Sequence, residues 1–239
     1  MWRGKGTAMN ADDKKTLDPG VALHSGDYVE RYNAKPLHRV RNLVRRMAVA
    51  EDAKVADFAC GNGMLLHALG GKYRTYDGVD FSPDFIASAN AWAEREGCSN
   101  YRFHCCDIRD FCGRLPGHFD VAATLDFSEH VDDALAIDIY TAIRRSLRPG
   151  GVLYLHTPNL DFFMERAKQI GIIPQFPEHI AIRNGDQTAA LLVAAGFDRA
   201  AIDIQTIAHY NILKLVHPLS AMPGLGGWFA ARLWIAATA

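Results

Sequence analysis

Residues 55–64 constrain the fold of this chain more than any other stretch of its sequence. Small apolar residues lead into Asp57, and a turn containing Gly61 and Gly63 follows before a helical pattern begins at Met64. This order is typical of a strand, a glycine-rich turn and the start of a helix. Glycines in such a turn let the backbone approach a ligand, and the first amides of the next helix point toward it. The stretch therefore predicts a binding loop for a polar or anionic fragment such as a carboxylate.

Later strand patterns also end in acids. The acids at or just after the ends of these patterns are Asp80, Asp107 and Asp126. Asp80 follows Asp57 by 23 residues. In a parallel sheet the carboxyl ends of the strands share one edge, where α/β folds bind ligands and where an acid after the second strand binds ribose hydroxyls. Because strands alternate with helical patterns through this region, the sequence predicts an α/β fold with a doubly wound, mainly parallel sheet.

These motifs, in this order, resemble those of the class I S-adenosylmethionine-dependent methyltransferases. The first motif of that family usually reads Asp-x-Gly-x-Gly-x-Gly, and residues 57–63 match it with Ala59 in the first glycine position. The resemblance covers the chain from about Val40 to the C-terminus. It implies a Rossmann-like sheet of seven strands, mostly parallel, whose last strand returns antiparallel between strands five and six.

The resemblance also implies which residues bind S-adenosylmethionine. The loop glycines and the end of the fourth strand are expected at the methionine part, the acid of the second strand at the ribose, and the residues after the third strand at the adenine. The expected set is Asp57, Ala59, Gly61 and Gly63 in the loop, Asp80 and Phe81 after the second strand, Asp107 and Ile108 after the third, and Leu125 in the fourth.

Length, charge and cysteine usage limit the alternatives. A chain of 239 residues fits one large α/β domain, and its 26 Lys and Arg against 27 Asp and Glu give a formal charge of -1. Proteins that bind nucleic acids usually carry an excess of basic residues that interact with the phosphate backbone. This chain has no such excess, so a nucleic-acid partner is disfavoured. Its 5 cysteines form no Cys-x-x-Cys pair, which is typical of a reducing compartment, so we expect a cytoplasmic protein.

Composition and periodicity divide the chain into three parts. Residues 1–19 are polar and predict a mobile tail, residues 20–50 a helical lid, and residues 51–239 the cofactor-binding domain. The helical pattern of the lid is interrupted at Pro36. Tyr28 and Tyr32 are therefore candidates to cover the cofactor, although ordinary half-buried helix aromatics would give the same pattern.

Two apolar insertions, residues 159–180 and residues 209–230, are expected to build the substrate pocket. Their apolar character favours an aromatic or lipid-like acceptor, although a plain packing helix would look the same. The second insertion also fits a peripheral membrane contact, but its few cations favour the mouth of a substrate pocket.

Residues 126–130, Asp-Phe-Ser-Glu-His, carry the most informative chemistry. If this segment forms a helical turn, Asp126, Glu129 and His130 share one face, because residues three and four apart are neighbours there. Oxygen and nitrogen donors of this kind suit a divalent ion such as Mg²⁺ or Mn²⁺. The alternative is structural, with the two acids capping the next helix and His130 packing beneath the cofactor.

The same run resembles the Glu-x-x-Glu-His of metal-dependent O-methyltransferases, both the ubiquinone-biosynthesis type and the small-RNA 2′-O-methylating type. The RNA type adds a histidine beyond a Thr-Pro-Asn strand end, which His179 matches after residues 157–159. Asp126 stands where that family has its first glutamate. The implied metal ligands are Asp126, Glu129, His130 and His179. His130 or His156 is expected to take the proton of the acceptor.

Three functions are compatible with these patterns. The leading hypothesis is a methyltransferase acting on oxygen of a small-molecule acceptor, such as a quinone precursor, a polyketide or a sugar-lipid, with a divalent metal or with His130 as the base. The second keeps the cofactor for N-methylation or another transfer on a quinone-like ring, for which Ala59 and Asp126 leave room. The third is a Rossmann-like binding module that holds a nucleotide without turnover, or uses NAD. The sequence indicates neither the acceptor nor the oligomeric state.

Overall fold

A seven-stranded sheet forms the centre of the computed structural model, which describes residues 27–239. The strand order is β3-β2-β1-β4-β5-β7-β6. The strands are β1 (Lys54–Phe58), β2 (Thr75–Asp80), β3 (Tyr101–Cys105), β4 (Phe119–Leu125), β5 (Leu147–Pro158), β6 (Ile202–Ile207) and β7 (Arg232–Thr238). The tail predicted for residues 1–19, and residues 20–26 of the predicted lid, lie outside the described residues.

Helices alternate with these strands. The α-helices are α1 (Asp27–Asn33), α2 (His38–Val44), α3 (Met64–Leu69), α4 (Pro83–Arg95), α5 (Ile108–Gly113), α6 (Asp133–Ser146), α7 (Phe163–Gln169) and α8 (Gly185–Ala194). Short 3₁₀ helices cover Ser128–His130, Arg199–Ala201, Ile212–Ala221 and Gly226–Phe229. The predicted break at Pro36 falls between α1 and α2, because proline lacks the N–H that a helix interior needs.

The pairing of the strands confirms the predicted α/β sheet. β1 is parallel to β2 and β4, β2 is parallel to β3, and β4 is parallel to β5. β7 runs antiparallel between β5 and β6, with Ile235 opposite Leu155 on one side and Ile204 on the other. The mainly parallel sheet therefore carries its one reversed strand where the resemblance implied.

One strand begins later than the sequence pattern suggested. The apolar pattern of residues 197–207 predicts one continuous sixth strand, but β6 starts only at Ile202. Asp198 accepts a hydrogen bond from the backbone N–H of Ala200 and caps a 3₁₀ turn over Arg199–Ala201. This local side-chain bond competes with the extended conformation, so the chain turns before it pairs with β7.

Hydrophobic clusters cover both faces of the sheet. In β1, Val55 packs on one face and Phe58 on the other. Apolar side chains of α2 and α3 cover the face that carries Val55. Apolar side chains of α5, α6 and α8 cover the face that carries Phe58. This two-sided burial leaves the carboxyl ends of the strands as the accessible edge. Within residues 27–239, no helix combines the length and apolar character needed to cross a bilayer.

Candidate active site

The glycine-rich turn between β1 and α3 lies beneath α1. Ala59, Gly61 and Gly63 have positive φ angles of 54°, 53° and 78°. A Cβ atom added to Gly61 would lie 3.1 Å from the Tyr32 ring, and one added to Gly63 would lie 2.7 Å from the Phe103 ring. A side chain would therefore be strained at both positions, and at Gly63 it would also clash with Phe103. Ala59 adopts a left-handed conformation that costs an L-residue about 1–2 kcal/mol.

Asp80 holds the turn against the end of β2. Its two carboxylate oxygens accept hydrogen bonds from the backbone N–H groups of Gly61 and Ser82, each at 2.9 Å. The side chain is buried. One carboxylate thus fixes both the glycine-rich turn and the start of α4, and it remains at the edge where a ligand would enter.

A cavity of about 420 Å³ runs from the glycine-rich turn to the end of β4. Most residues predicted at the cofactor line it, namely Ala59, Gly61, Asp80, Phe81, Asp107, Ile108 and Leu125. Asp57 and Gly63 do not. Asp57 accepts a 2.6 Å hydrogen bond from the Tyr76 hydroxyl behind the turn, and burial raises its pKa to about 7. The structure therefore places Asp57 as a support for the turn.

Helix α1 covers one wall of this cavity. Tyr32 lines the cavity, and its ring meets that of Phe85 edge-on with centroids 5.2 Å apart. Asn62 donates a 2.8 Å hydrogen bond to Asn33 and so ties the glycine-rich turn to α1. Tyr28, the other lid candidate, has a side chain that lies outside the described part of the chain.

Asp126 lies at the tip of β4, with a positive φ of 57°. Its carboxylate accepts hydrogen bonds from Arg39 at 2.5 Å and Arg232 at 2.9 Å. Nδ1 of His156 lies 2.8 Å from the same carboxylate. Burial alone would raise the pKa of Asp126, but the two guanidinium groups and His156 hold this pKa well below its usual range.

The other three expected metal ligands converge. One ligand atom of each of Glu129, His130 and His179 lies within 4.8 Å of the others. Asp126 does not join this cluster, because its oxygens are already held by two cations. The structure therefore brings together three of the four residues that the resemblance implied, and it assigns Asp126 to an ion-pair network.

Backbone contacts hold the two segments of the cluster together. The N–H groups of Ile180 and Ala181 donate to the carbonyl of Glu129 at 2.9 and 3.1 Å. Buried Arg183 donates to the carbonyls of Ser128 and Val131 at 2.7 and 2.9 Å. These bonds place the segment that carries His179 beside the 3₁₀ turn that carries Glu129 and His130.

The two histidines present nitrogens of different character. His130 Nδ1 lies 2.8 Å from the carbonyl of Glu178, which can only accept, so the Nδ1 proton is fixed and Nε2 carries the lone pair. The buried Nδ1 of His179 has no hydrogen-bond partner among the residues that the structure describes. Burial, and then the adjacent His130, lower the pKa of His179 to about 4, so this ring is neutral at pH 7.

Glu129 completes the cluster from a fully buried position. Its Oε2 accepts a 3.1 Å hydrogen bond from the Thr157 hydroxyl, which in turn accepts a 3.0 Å bond from Ser128. Burial, and then the nearby Asp126, raise the pKa of Glu129 to about 7. A buried carboxylate, an unpaired imidazole nitrogen and a second imidazole oriented by a backbone carbonyl form a donor set that fits a divalent cation.

The structure separates the two candidate bases. His130 lines the cavity. His156 is buried on β5 against Asp126, outside the cavity lining, and burial lowers its pKa. Sequence patterns did not indicate the roles of Arg39, Arg232 or Thr157, because these roles depend on partners far away in the chain. The one available signal in the sequence was that Asp126 is shorter than the glutamate expected at this position. This difference could have indicated that Asp126 is not a metal ligand.

Comparisons with known proteins agree with this geometry. Residues 55–151 match the model of the methyltransferase domain family. The ubiquinone biosynthesis O-methyltransferase of Xylella fastidiosa is 30% identical over 148 residues, covering 60% of this chain and 58% of the relative. That of Thiobacillus denitrificans is 31% identical over 129 residues, covering 52% of this chain and 54% of the relative. The chain therefore spans little more than half the length of these curated relatives.

A solved structure extends the likeness across the fold. An S-adenosylmethionine-dependent methyltransferase from Archaeoglobus fulgidus superposes with a TM-score of 0.68 at 17% identity, covering 89% of this chain and 100% of that protein. At this identity the likeness concerns the fold alone. The family model shows that residues 55–151 form a methyltransferase domain, and the order of the motifs and the glycine-rich turn over its cavity agree with the class I S-adenosylmethionine-dependent type.

Proposed function

We propose that this protein transfers the methyl group of S-adenosylmethionine to an oxygen atom of a small-molecule acceptor. The observation that carries the proposal is the convergence of Glu129, His130 and His179 beside a cavity, which His130 lines at one end and the glycine-rich turn lines at the other. The ubiquinone biosynthesis O-methyltransferases among the relatives support oxygen as the target.

The cofactor binds along the cavity in this proposal. The backbone at Gly61 faces its methionine part, Asp80 accepts from the ribose hydroxyls, and Asp107 lies at the adenine. Each of these residues lines the cavity. Both oxygens of Asp80 already accept backbone amides, yet a carboxylate has about four lone-pair sites and can accept ribose hydroxyls as well. Binding would then rigidify the turn that Asp80 holds.

Glu129, His130 and His179 would hold a divalent cation beside the methyl group. Because Asp126 is held in its ion pairs, the donor set is one carboxylate and two imidazoles. Imidazole ligands favour an ion that accepts nitrogen donors, such as Zn²⁺ or Mn²⁺, over Mg²⁺. A bound cation of this kind supplies a Lewis acid that makes an acceptor hydroxyl more acidic. The protein itself orients the acceptor, keeps water out and fixes the ligand atoms through Thr157 and Glu178.

A metal-free mechanism, in which His130 acts as the base, rests on one observation, the fixed tautomer of His130. Its Nδ1 proton is held by the carbonyl of Glu178, so Nε2 can accept the proton of a phenol-like hydroxyl. His156 is not proposed in this role, because it lies against Asp126 and outside the cavity lining.

Apolar side chains support an aromatic acceptor. The end of the cavity near His130 is lined by Phe127, Val131, Leu135 and Ile139. Such a wall packs against a flat ring and excludes water from the reacting atoms. A quinone precursor or another phenolic compound fits this environment better than a sugar does, because an apolar wall leaves many hydroxyl groups unpaired.

The test is methyl transfer from labelled S-adenosylmethionine to three compounds of similar size: catechol, phenol and aniline. We expect labelled product from catechol in the presence of Mn²⁺, and loss of activity in Asp80→Ala. Methylation of aniline but of neither hydroxyl compound would overturn the proposal in favour of nitrogen. Binding of NAD without binding of S-adenosylhomocysteine would overturn it in favour of a different nucleotide.

A further inference from the structure

Three cationic side chains gather beside the cavity, and the proposed chemistry uses none of them. Lys35 follows α1, Arg39 lies in α2 and Arg232 begins β7. Cζ of Arg39 lies 5.2 Å from the centroid of the Tyr210 ring, and Cζ of Arg232 lies 5.6 Å from the same centroid. Segments from both ends of the described chain and from the second apolar insertion therefore meet at one place.

This cation cluster borders the proposed active site. Arg39 and Arg232 both bind Asp126, and Asp126 lines the cavity. Nζ of Lys35 lies 4.3 Å from the centroid of Tyr32, which lines the cavity as well. None of the three cations lines the cavity itself, so an acceptor would meet them only by reaching past Asp126 or Tyr32.

The cluster carries more positive than negative charge. Asp126 and Glu129 are the carboxylates that act most strongly on Lys35, so the three cations share two neighbouring carboxylates. Within residues 27–239, Lys35 forms no ion pair, and burial together with Arg39 lowers its pKa. Taking unbalanced charge out of water is costly, and a bound anion would offset this cost.

Arg39 adds a second, independent observation. Its side chain is only 5% exposed, and its buried Nε has no hydrogen-bond partner in the part of the chain that the structure describes. Asp126 already shows that the two guanidinium groups accommodate a carboxylate.

We propose that Lys35, Arg39 and Arg232 bind a carboxylate group of the methyl acceptor, so that the substrate is an aromatic hydroxy acid. This inference rests on the proposed function, since it names the substrate class of the same site. Lys35 contributes the accessible charge, and the two arginines supply the positive field behind it. Asp126 fixes both arginines and so positions them for the substrate.

The test compares two compounds of nearly the same shape, 3,4-dihydroxybenzoate and its neutral amide 3,4-dihydroxybenzamide. Each is titrated calorimetrically into the full chain saturated with S-adenosylhomocysteine, with and without Mn²⁺. We expect the acid to bind about tenfold or more tightly than the amide, as for a hydrogen bond to a charged group. In Lys35→Met this preference falls to about threefold or less, whereas Lys35→Arg retains it.

A matched control is Lys214→Met, which removes the same charge from an exposed position on the insertion that carries Tyr210. This variant keeps the preference for the acid. Equal binding of the acid and the amide by the wild type would overturn the inference, as would binding of neither compound or an unchanged preference in Lys35→Met. Failure of S-adenosylhomocysteine to bind would instead overturn the proposed function, so the two failures are distinguishable.

Discussion

Oδ2 of Asp126 lies 2.5 Å from Nη2 of Arg39, and this contact joins the tip of β4 to a helix that precedes the sheet. The other oxygen of Asp126 binds Arg232 at the start of β7. In the metal-dependent methyltransferases that the sequence resembles, a glutamate occupies this position. Here the shorter side chain anchors two cations, and the candidate metal donors that remain are Glu129 and two histidines.

Replacing Asp126 by asparagine tests the importance of this anchor. The substitution leaves two buried guanidinium groups without a counter-charge, so we expect the free energy of unfolding to fall by about 3–5 kcal/mol. Urea unfolding measures the change. The matched control is Asp161→Asn, because Asp161 pairs with Arg166 in a far more exposed position and should cost less than about 1 kcal/mol. Similar small losses in both variants would contradict an anchoring role.

Ala59 is expected to be a strained residue. Because it has a φ of 54°, Ala59→Gly should relieve about 1–2 kcal/mol of strain, and the greater freedom of glycine in the unfolded chain offsets part of this gain. We expect a net rise in thermal stability. Ala91→Gly, on the exposed side of α4, should instead cost about 1 kcal/mol. A loss of stability in Ala59→Gly would show that the turn is not strained at this residue.

The raised pKa of Asp57 predicts that the free energy of unfolding depends on pH. Its pKa is about 7 in the folded protein against 3.8 as the ordinary value, so the folded state retains a proton that the unfolded state releases. This group therefore contributes less stability as pH rises from about 4 to 7. Between pH 5 and pH 8, the wild type should lose about 2–3 kcal/mol relative to Asp57→Asn, measured by urea unfolding at each pH. A difference that is independent of pH would contradict the raised pKa.

Thr157 is expected to orient Glu129. Thr157→Val keeps the shape of the side chain but removes the hydroxyl that donates to Glu129, so Mn²⁺ affinity should fall about 10–100-fold. Affinity for S-adenosylhomocysteine should not change. The control is Thr124→Val, which removes a similarly buried hydroxyl that contacts Tyr140. If both variants bind Mn²⁺ as tightly as the wild type, Thr157 does not support a metal site.

The sequence predicted the sheet and the glycine-rich turn well, because strand periodicity and positive φ angles leave local signatures. The roles of Asp126 and His156 could not be predicted in the same way. Their partners, Arg39 and Arg232, are distant in the chain, and spacing does not encode which charges meet across a fold. Alternation along β5 places His156 on one face of the sheet, but it does not say that this face turns toward Asp126.

The cluster itself was partly predictable. Glu129 and His130 are close in sequence, and the spacing placed them together. His179 followed from a resemblance, and its approach depends on the backbone bonds from residues 180 and 181 to Glu129. Arg183 had no recognisable pattern, because its role is to bind carbonyl groups that become available only in the folded loop.

The most direct test is a calorimetric titration of Mn²⁺ into chelator-treated protein saturated with S-adenosylhomocysteine. The wild type, Glu129→Gln, His179→Gln and Asp126→Asn are compared. We predict that the wild type and Asp126→Asn bind the ion, that the other two variants do not, and that all four bind S-adenosylhomocysteine. Absence of Mn²⁺ binding in the wild type, or its loss in Asp126→Asn while Glu129→Gln retains it, would contradict the proposed site.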